Sequence, residues 1–145
     1  MPAELSTPSS SSARECVLIV EDDDDSRDML SELVSMLGHR AVGAANSVEA
    51  LQHLKQAQPT IALIDIGLPD VDGCEVAQML RADPAGRAVH LVALTGYSDL
   101  RTRETARAAG FDDFLVKPIL PDTLQAVLGS RKLSELTQRE PTRLT

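Results

Sequence analysis

The sequence predicts an α/β fold, a doubly wound sheet of five parallel strands, and three observations predict it. The runs Val17–Val20, Thr60–Ile64 and Val89–Leu94 are apolar almost throughout instead of alternating with polar residues. Strands of that kind are covered on both faces, as parallel strands are. The segments between them carry apolar residues at helical spacing, which gives the strand–helix alternation of a parallel sheet with right-handed crossovers. Finally, polar residues sit just after several of the apolar runs, at the carboxyl ends where open α/β sheets bind ligands.

Taken in order, Val17–Val20 is the first strand. A helix from about Asp25 to Leu37 follows, with Met29, Leu30, Leu33, Val34 and Leu37 on one face and Gly38 ending it. Arg40–Ala44 is a short second strand. Asn46 or Ser47 caps the next helix, whose apolar residues are Val48, Leu51 and Leu54, and Glu49 stands where a capping box needs it. Pro59 ends that helix. Thr60–Ile64 leads into Asp65, and residues 66–73 form a loop rich in Gly, Pro and Asp. Glu75–Arg81 is a helix and Asp83–Gly86 a turn. Val89–Leu94 runs into Thr95 and Gly96. Ser98 caps a helix that continues to Ala109, Gly110 ends it, and Asp113–Val116 is the fifth strand before Lys117-Pro118. Pro121 opens a last helix that buries Leu124, Val127 and Leu128. Residues 1–14 are Ser- and Pro-rich and read as a disordered leader or linker, 15–131 as the folded domain, and 132–145 as a polar tail.

The chain has 145 residues, the size of one domain, and a net charge of −8. That charge argues against nucleic-acid binding through a basic surface. There is no Trp, and Phe111, Phe114 and Tyr97 are the whole aromatic content, so the core is aliphatic. Cys16 and Cys74 lack metal-ligand spacing and fit a reduced, cytoplasmic setting, with Cys16 a strand residue. No apolar run approaches the length of a membrane span and no signal peptide is visible, so no membrane association is expected.

The acidic run Glu21-Asp22-Asp23-Asp24-Asp25 directly follows the first strand. Carboxylates at a strand end repel one another unless a cation neutralises them, and an all-oxygen set suits Mg²⁺. Asp65, Thr95 and Lys117 end three other strands, so the sheet gathers acids, a hydroxyl and an ammonium on one edge. This set fits phosphoryl chemistry. A carboxylate such as Asp65 can attack phosphorus to give an acyl phosphate. Mg²⁺, Thr95 and Lys117 would hold the oxygens of the group in transfer.

The motifs VLIVEDD at 17–23, LIDIGLPDVDG at 63–73, ALTG at 93–96 and FLVKP at 114–118 resemble those of the receiver domain of two-component response regulators. The resemblance covers about Glu15 to Arg131. It implies a flavodoxin-like sheet of strand order 2-1-3-4-5. It implies that Asp65 accepts phosphate from a phosphohistidine of a histidine kinase or phosphotransfer protein. Asp22 would bind Mg²⁺ directly, Glu21 would help through water, and Asp65 and the backbone carbonyl of Gly67 would complete the protein's ligands. Thr95 and Lys117 would assist transfer, and Thr95 and Phe114 would carry the switch. Lys117-Pro118 corresponds to a cis peptide. Gly67 and Tyr97 occupy positions that tune phosphate lifetime, and Gly67 offers no side chain to orient water, so slow hydrolysis is expected. Two departures stand out: Gly96 replaces the commoner Ala, and Phe114 replaces the frequent Tyr. The chain would act as a phosphoacceptor regulator, not an enzyme in the ordinary sense, whether stand-alone or part of a hybrid histidine kinase. No segment for a DNA-binding domain follows in this sequence, so the expected output is protein contact, for which the 98–116 surface with Arg101, Arg103 and Arg107 is the candidate, phosphate relay, or a further domain not in this sequence.

Plainer roles are expected for other polar residues. Asp23, Asp24 and Asp25 suit a solvated first helical turn, Asp70 and Asp72 an ordinary turn, and His39, His53 and His90 structural or exposed positions. Two other functions compete. A receiver-like binding module would never take phosphate. A TOPRIM-type Mg²⁺ enzyme would use Glu21 with Asp70 and Asp72, leaving Asp65, Thr95 and Lys117 without roles.

Overall fold

The structure, a computed structural model, describes residues 15–66, 73–96 and 100–129, with side chains at all of these except 100–102. Five strands, β1 (Cys16–Val20), β2 (Arg40–Ala44), β3 (Ile61–Asp65), β4 (His90–Thr95) and β5 (Asp113–Val116), alternate with helices α1 (Asp24–Met36), α2 (Ser47–Ala57), α3 (Gly73–Ala82), α4 (Leu100–Ala109) and α5 (121–129). The strands form one sheet in the order β2-β1-β3-β4-β5, and every pairing is parallel.

Alternation along the strands explains why their sequences are apolar throughout. Successive side chains point to opposite faces, and both faces are covered. Leu18, Val20, Ala62, Ile64, Leu91 and Ala93 pack with Leu54 of α2, Leu80 of α3 and Ala106 of α4. Val17, Ile19, Ile61, Leu63, Val92 and Leu94 pack with Leu30 and Val34 of α1 and Leu124 and Leu128 of α5. The expected doubly wound architecture and strand order are therefore present. No helix among the described residues is long and apolar enough to cross a membrane.

The helix ends differ in detail from the sequence reading. Asp23 is the N-cap of α1, its carboxylate accepting from the Ser26 amide at 2.8 Å. Asn46 caps α2 by accepting from the Glu49 amide at 2.9 Å. The Glu49 carboxylate, however, accepts from the Ala45 amide at 2.7 Å, one residue before the position a standard capping box would use. Gln58, with φ 52°, closes α2 in the left-handed region usually taken by Gly or Asn.

The helix α3 begins at Gly73, two residues before the expected Glu75. Gly73 lies so close to the end of β3 that an added Cβ would sit 2.7 Å from the Asp65 carbonyl oxygen and 2.7 Å from Ile66 Cγ2. The backbone of the α3 start is thus packed directly against the residue that ends β3. Gly73→Ala is expected to destabilise the domain by about 2 kcal/mol, as forced backbone shifts in packed regions do. Urea unfolding at fixed pH measures this; a change under about 0.5 kcal/mol would contradict the close packing.

A single arginine ties the opposite edge together. The Arg81 guanidinium, at the end of α3, donates to the carbonyls of Gly86 at 3.0 Å, Arg87 at 3.1 Å and Val89 at 2.6 Å. It also donates to the Gly110 carbonyl at 3.0 and 3.2 Å and to the Asp112 carboxylate. These contacts join α3 to the turn before β4 and the turn before β5. His39 is structural as well: its Nδ1 accepts from the Glu15 amide at 2.9 Å.

Candidate functional site

At the carboxyl edge of the sheet the chain leaves each strand on a polar residue. Glu21 and Asp22 follow β1, Asp65 ends β3, Thr95 ends β4 and Lys117 follows β5. The central strands place Asp65 with no solvent exposure and Glu21 and Thr95 at 2% each. Asp22 is half-buried at the same edge. Register carries β4 and β5 out together, because Thr95 pairs with Val116 and the Lys117 amide donates to the Thr95 carbonyl at 2.8 Å. The Lys117 ammonium reaches across the edge and bonds the Asp65 carboxylate. The Lys117–Pro118 peptide is cis, as the family resemblance implied.

The electrostatics of this edge are unfavourable for a second negative charge. Burial, then a side-chain hydrogen bond with Asp65 and the charge of Asp65, push the Glu21 carboxyl up to about 7. The Asp23 amide, which donates to Glu21 Oε2 at 3.1 Å, and the Lys117 ammonium pull it the other way without prevailing. Two closely placed, buried carboxyl groups share one ammonium, and the ionised form of Glu21 gains from any further cation.

Among the described residues no three acid, His or Cys side chains form a group that could by itself hold a metal ion. The donor chemistry nevertheless fits Mg²⁺, which commonly takes one or two carboxylates and keeps waters for its other positions. Gly67, Tyr97, Asp70 and Asp72 lie outside the described residues, as does the side chain of Arg101.

Phe114 is partly buried in β5, opposite Ala93, with the guanidinium of Arg103 at 5.7 Å and that of Arg107 at 5.6 Å from its ring centre. Both distances lie within reach of a cation–π attraction. Two arginines of the 98–116 surface are thereby spent partly on the aromatic ring.

Arg27 lies at the same edge, and nothing in the sequence singles it out. Its Nη1 donates to the Glu21 carbonyl at 2.8 Å and its Nη2 to the Asp24 carboxylate. Gly43 of β2 makes room for it, since a Cβ there would meet Arg27 Cδ at 3.1 Å. The only sequence signal is the i, i+3 spacing of Asp24 and Arg27, which is too common to point at a strand end.

The response regulator receiver domain family matches residues 17–129. Among curated relatives, a probable transcriptional regulator ycf27 of Guillardia theta is 37% identical over 113 residues, covering 78% of this chain and 43% of the relative. The chain spans about half the length of such relatives, 43–48% for three of them. The solved Vibrio cholerae chemotaxis protein CheY4 superposes with a TM-score of 0.76 at 27% identity, over 81% of this chain and 98% of that one. The receiver domain of the Pseudomonas aeruginosa sensor histidine kinase PA1611, solved with a magnesium ion coordinated in its active site cleft, gives a TM-score of 0.71 at 30% identity, over 80% and 95% of the two chains. With its sheet order, its polar carboxyl edge and a family match over most of its length, this chain belongs to the response regulator receiver domain family.

Proposed function

We propose that the chain is a phosphorelay switch in which Asp65 takes a phosphoryl group from the phosphohistidine of a histidine kinase or phosphotransfer protein. The observation that carries this reading is the buried Asp65 carboxylate bonded by the Lys117 ammonium at the open edge of the sheet. In the transfer an Asp65 oxygen forms a bond to phosphorus as the phosphorus–nitrogen bond of the donor breaks, and the electron pair leaves with the imidazole. Lys117 then pairs with the transferred oxygens, and the Thr95 hydroxyl donates to one of them. Both contacts strengthen as charge moves onto the group, which is the condition for lowering the barrier.

Glu21, Asp22 and Asp65 would hold Mg²⁺, with the Gly67 carbonyl as the remaining protein donor, and the ion would supply positive charge against the phosphoryl oxygens. Arg27 fixes the backbone that carries Glu21 into this set. In the switch, Thr95 follows the phosphoryl group, Phe114 changes place, and the 98–116 surface changes for a protein partner. Tyr97, by the position that the family resemblance gives it, would slow hydrolysis of the acyl phosphate. Phosphate acceptance, not turnover of a substrate, is the role, and the setting is cytoplasmic, without a nucleic-acid or membrane partner.

Amide chemical shifts on adding Mg²⁺ with beryllofluoride, a non-covalent phosphoryl mimic, test this reading. The expected result is shifts spreading from Thr95 to Phe114 and Lys117 that are absent in Asp65→Asn. Shifts confined to the acidic run, or unchanged in the variant, would contradict it.

A further inference from the structure

We propose that an apolar cavity beside the carboxylates receives the organic group of small acyl phosphates, so that Asp65 is phosphorylated faster by donors with a longer alkyl chain. The proposal rests on the phosphoacceptor reading above and adds a donor preference to the same site. The cavity holds about 270 Å³, with Leu30 and Leu33 of α1, Leu94 of β4 and Ile119 among its walls. Met29 also lines it and is 66% exposed, so the cavity reaches the surface. Ser26, Pro118, Glu21 and Lys117 complete the lining.

Those last two residues join the cavity to the site. The Lys117 ammonium bonds Asp65, so the cavity begins one side chain away from the attacking carboxylate. A group attached to phosphorus at Asp65 therefore starts beside an apolar wall. The volume lies just below the range of pockets that take drug-sized ligands, and it suits a chain of a few carbons. A donor with an anionic phosphoryl end and a short alkyl tail matches both ends of this arrangement: the ammonium faces the first and the leucines face the second.

The step is balanced without a further reactant. An Asp65 oxygen bonds to phosphorus, the bond between phosphorus and the acyl oxygen breaks, and the electron pair leaves with the departing carboxylate. Acetyl and butyryl phosphate release carboxylates of nearly equal basicity, so their intrinsic reactivities are alike. They differ by two methylenes, and full burial of a methylene corresponds to about a fourfold gain. Partial burial in a surface cavity leaves an expected preference of about fivefold to tenfold for butyryl phosphate.

The test compares second-order rate constants for phosphorylation by acetyl and butyryl phosphate, with Mg²⁺ present, from intact mass against time. It uses the parent chain, Met29→Glu, which places a charge on the cavity wall, and Ser26→Phe, which fills it. Both positions are exposed, so the variants should fold, and circular dichroism checks that they do. The expected result is a butyryl-to-acetyl ratio of about five or more in the parent and near one in either variant. A parent ratio near one, with acetyl phosphate still labelling Asp65, overturns the donor preference and leaves the phosphoacceptor reading standing. A high ratio unchanged in both variants overturns the assignment to this cavity. Labelling by neither donor overturns both readings.

Discussion

Replacing Lys117 with alanine is expected to slow phosphorylation of Asp65 by about a hundredfold, the loss typical when one preorganised charge partner of a developing anion is removed. The ammonium bonds the Asp65 carboxylate, and it is positioned to follow negative charge onto the incoming oxygens. Its removal leaves Asp65 and Glu21, two buried carboxyl groups, without that counter-charge. Lys117→Arg should recover little, because a planar guanidinium is larger and directs its donors in a fixed fork. The measurement is the rate of mass gain with a small phosphodonor at saturating Mg²⁺, with Mg²⁺ affinity titrated separately so that a binding defect is not mistaken for a transfer defect. A rate within threefold of the parent would show that Lys117 plays no part in transfer.

The largest expected effect on stability belongs to Arg81, far from the acids. Arg81→Ala should cost about 3 kcal/mol, from the loss of charge-assisted hydrogen bonds to several carbonyls that are then left poorly satisfied. The contacts share one guanidinium and do not add, which is why the figure stays well below the sum over the carbonyls of Gly86, Arg87, Val89 and Gly110 and the Asp112 carboxylate. Arg81→Lys should recover only part of the loss, since one ammonium cannot reach both turns. Urea unfolding of the parent and both variants decides this; a loss under about 1 kcal/mol in the alanine variant would mean that the two turns hold without their clamp. Because Arg81 ties down the turns before β4 and β5, the strands that deliver Thr95 and Lys117, its loss should also blunt phosphorylation at temperatures where the parent is still folded.

The acids, the hydroxyl and the ammonium were legible in the sequence because each follows an apolar run, and in a parallel sheet every such run ends at the same edge. Glu21, Asp65, Thr95 and Lys117 needed only the strand positions to be drawn together. The arginines were not legible. Where a long side chain goes depends on which carbonyls the tertiary fold leaves open, and nothing around Arg27 or Arg81 in the sequence records the position of the Glu21 carbonyl or the Gly110 carbonyl. The stacking of Arg103 and Arg107 on Phe114 was hidden for the same reason, although their presence on one helix was plain. Helix boundaries shifted where a local rule met a close approach. The sequence reads Gly73 as part of the loop, yet it starts α3 because its missing side chain lets the helix abut Asp65. Gln58 carries no sign of its left-handed backbone, since it is neither Gly nor Asn. The positions of Gly67 and Tyr97, which the family resemblance ties to metal binding and phosphate lifetime, lie outside the described residues, so their roles rest on the sequence.

Intact mass after incubation with a small phosphodonor, with and without Mg²⁺, on the parent and on Asp65→Asn tests the phosphoacceptor claim most directly. The account predicts a gain of one phosphoryl group that requires Mg²⁺ and disappears in the variant. No gain in the parent under any condition, or a gain that survives in Asp65→Asn, would contradict it.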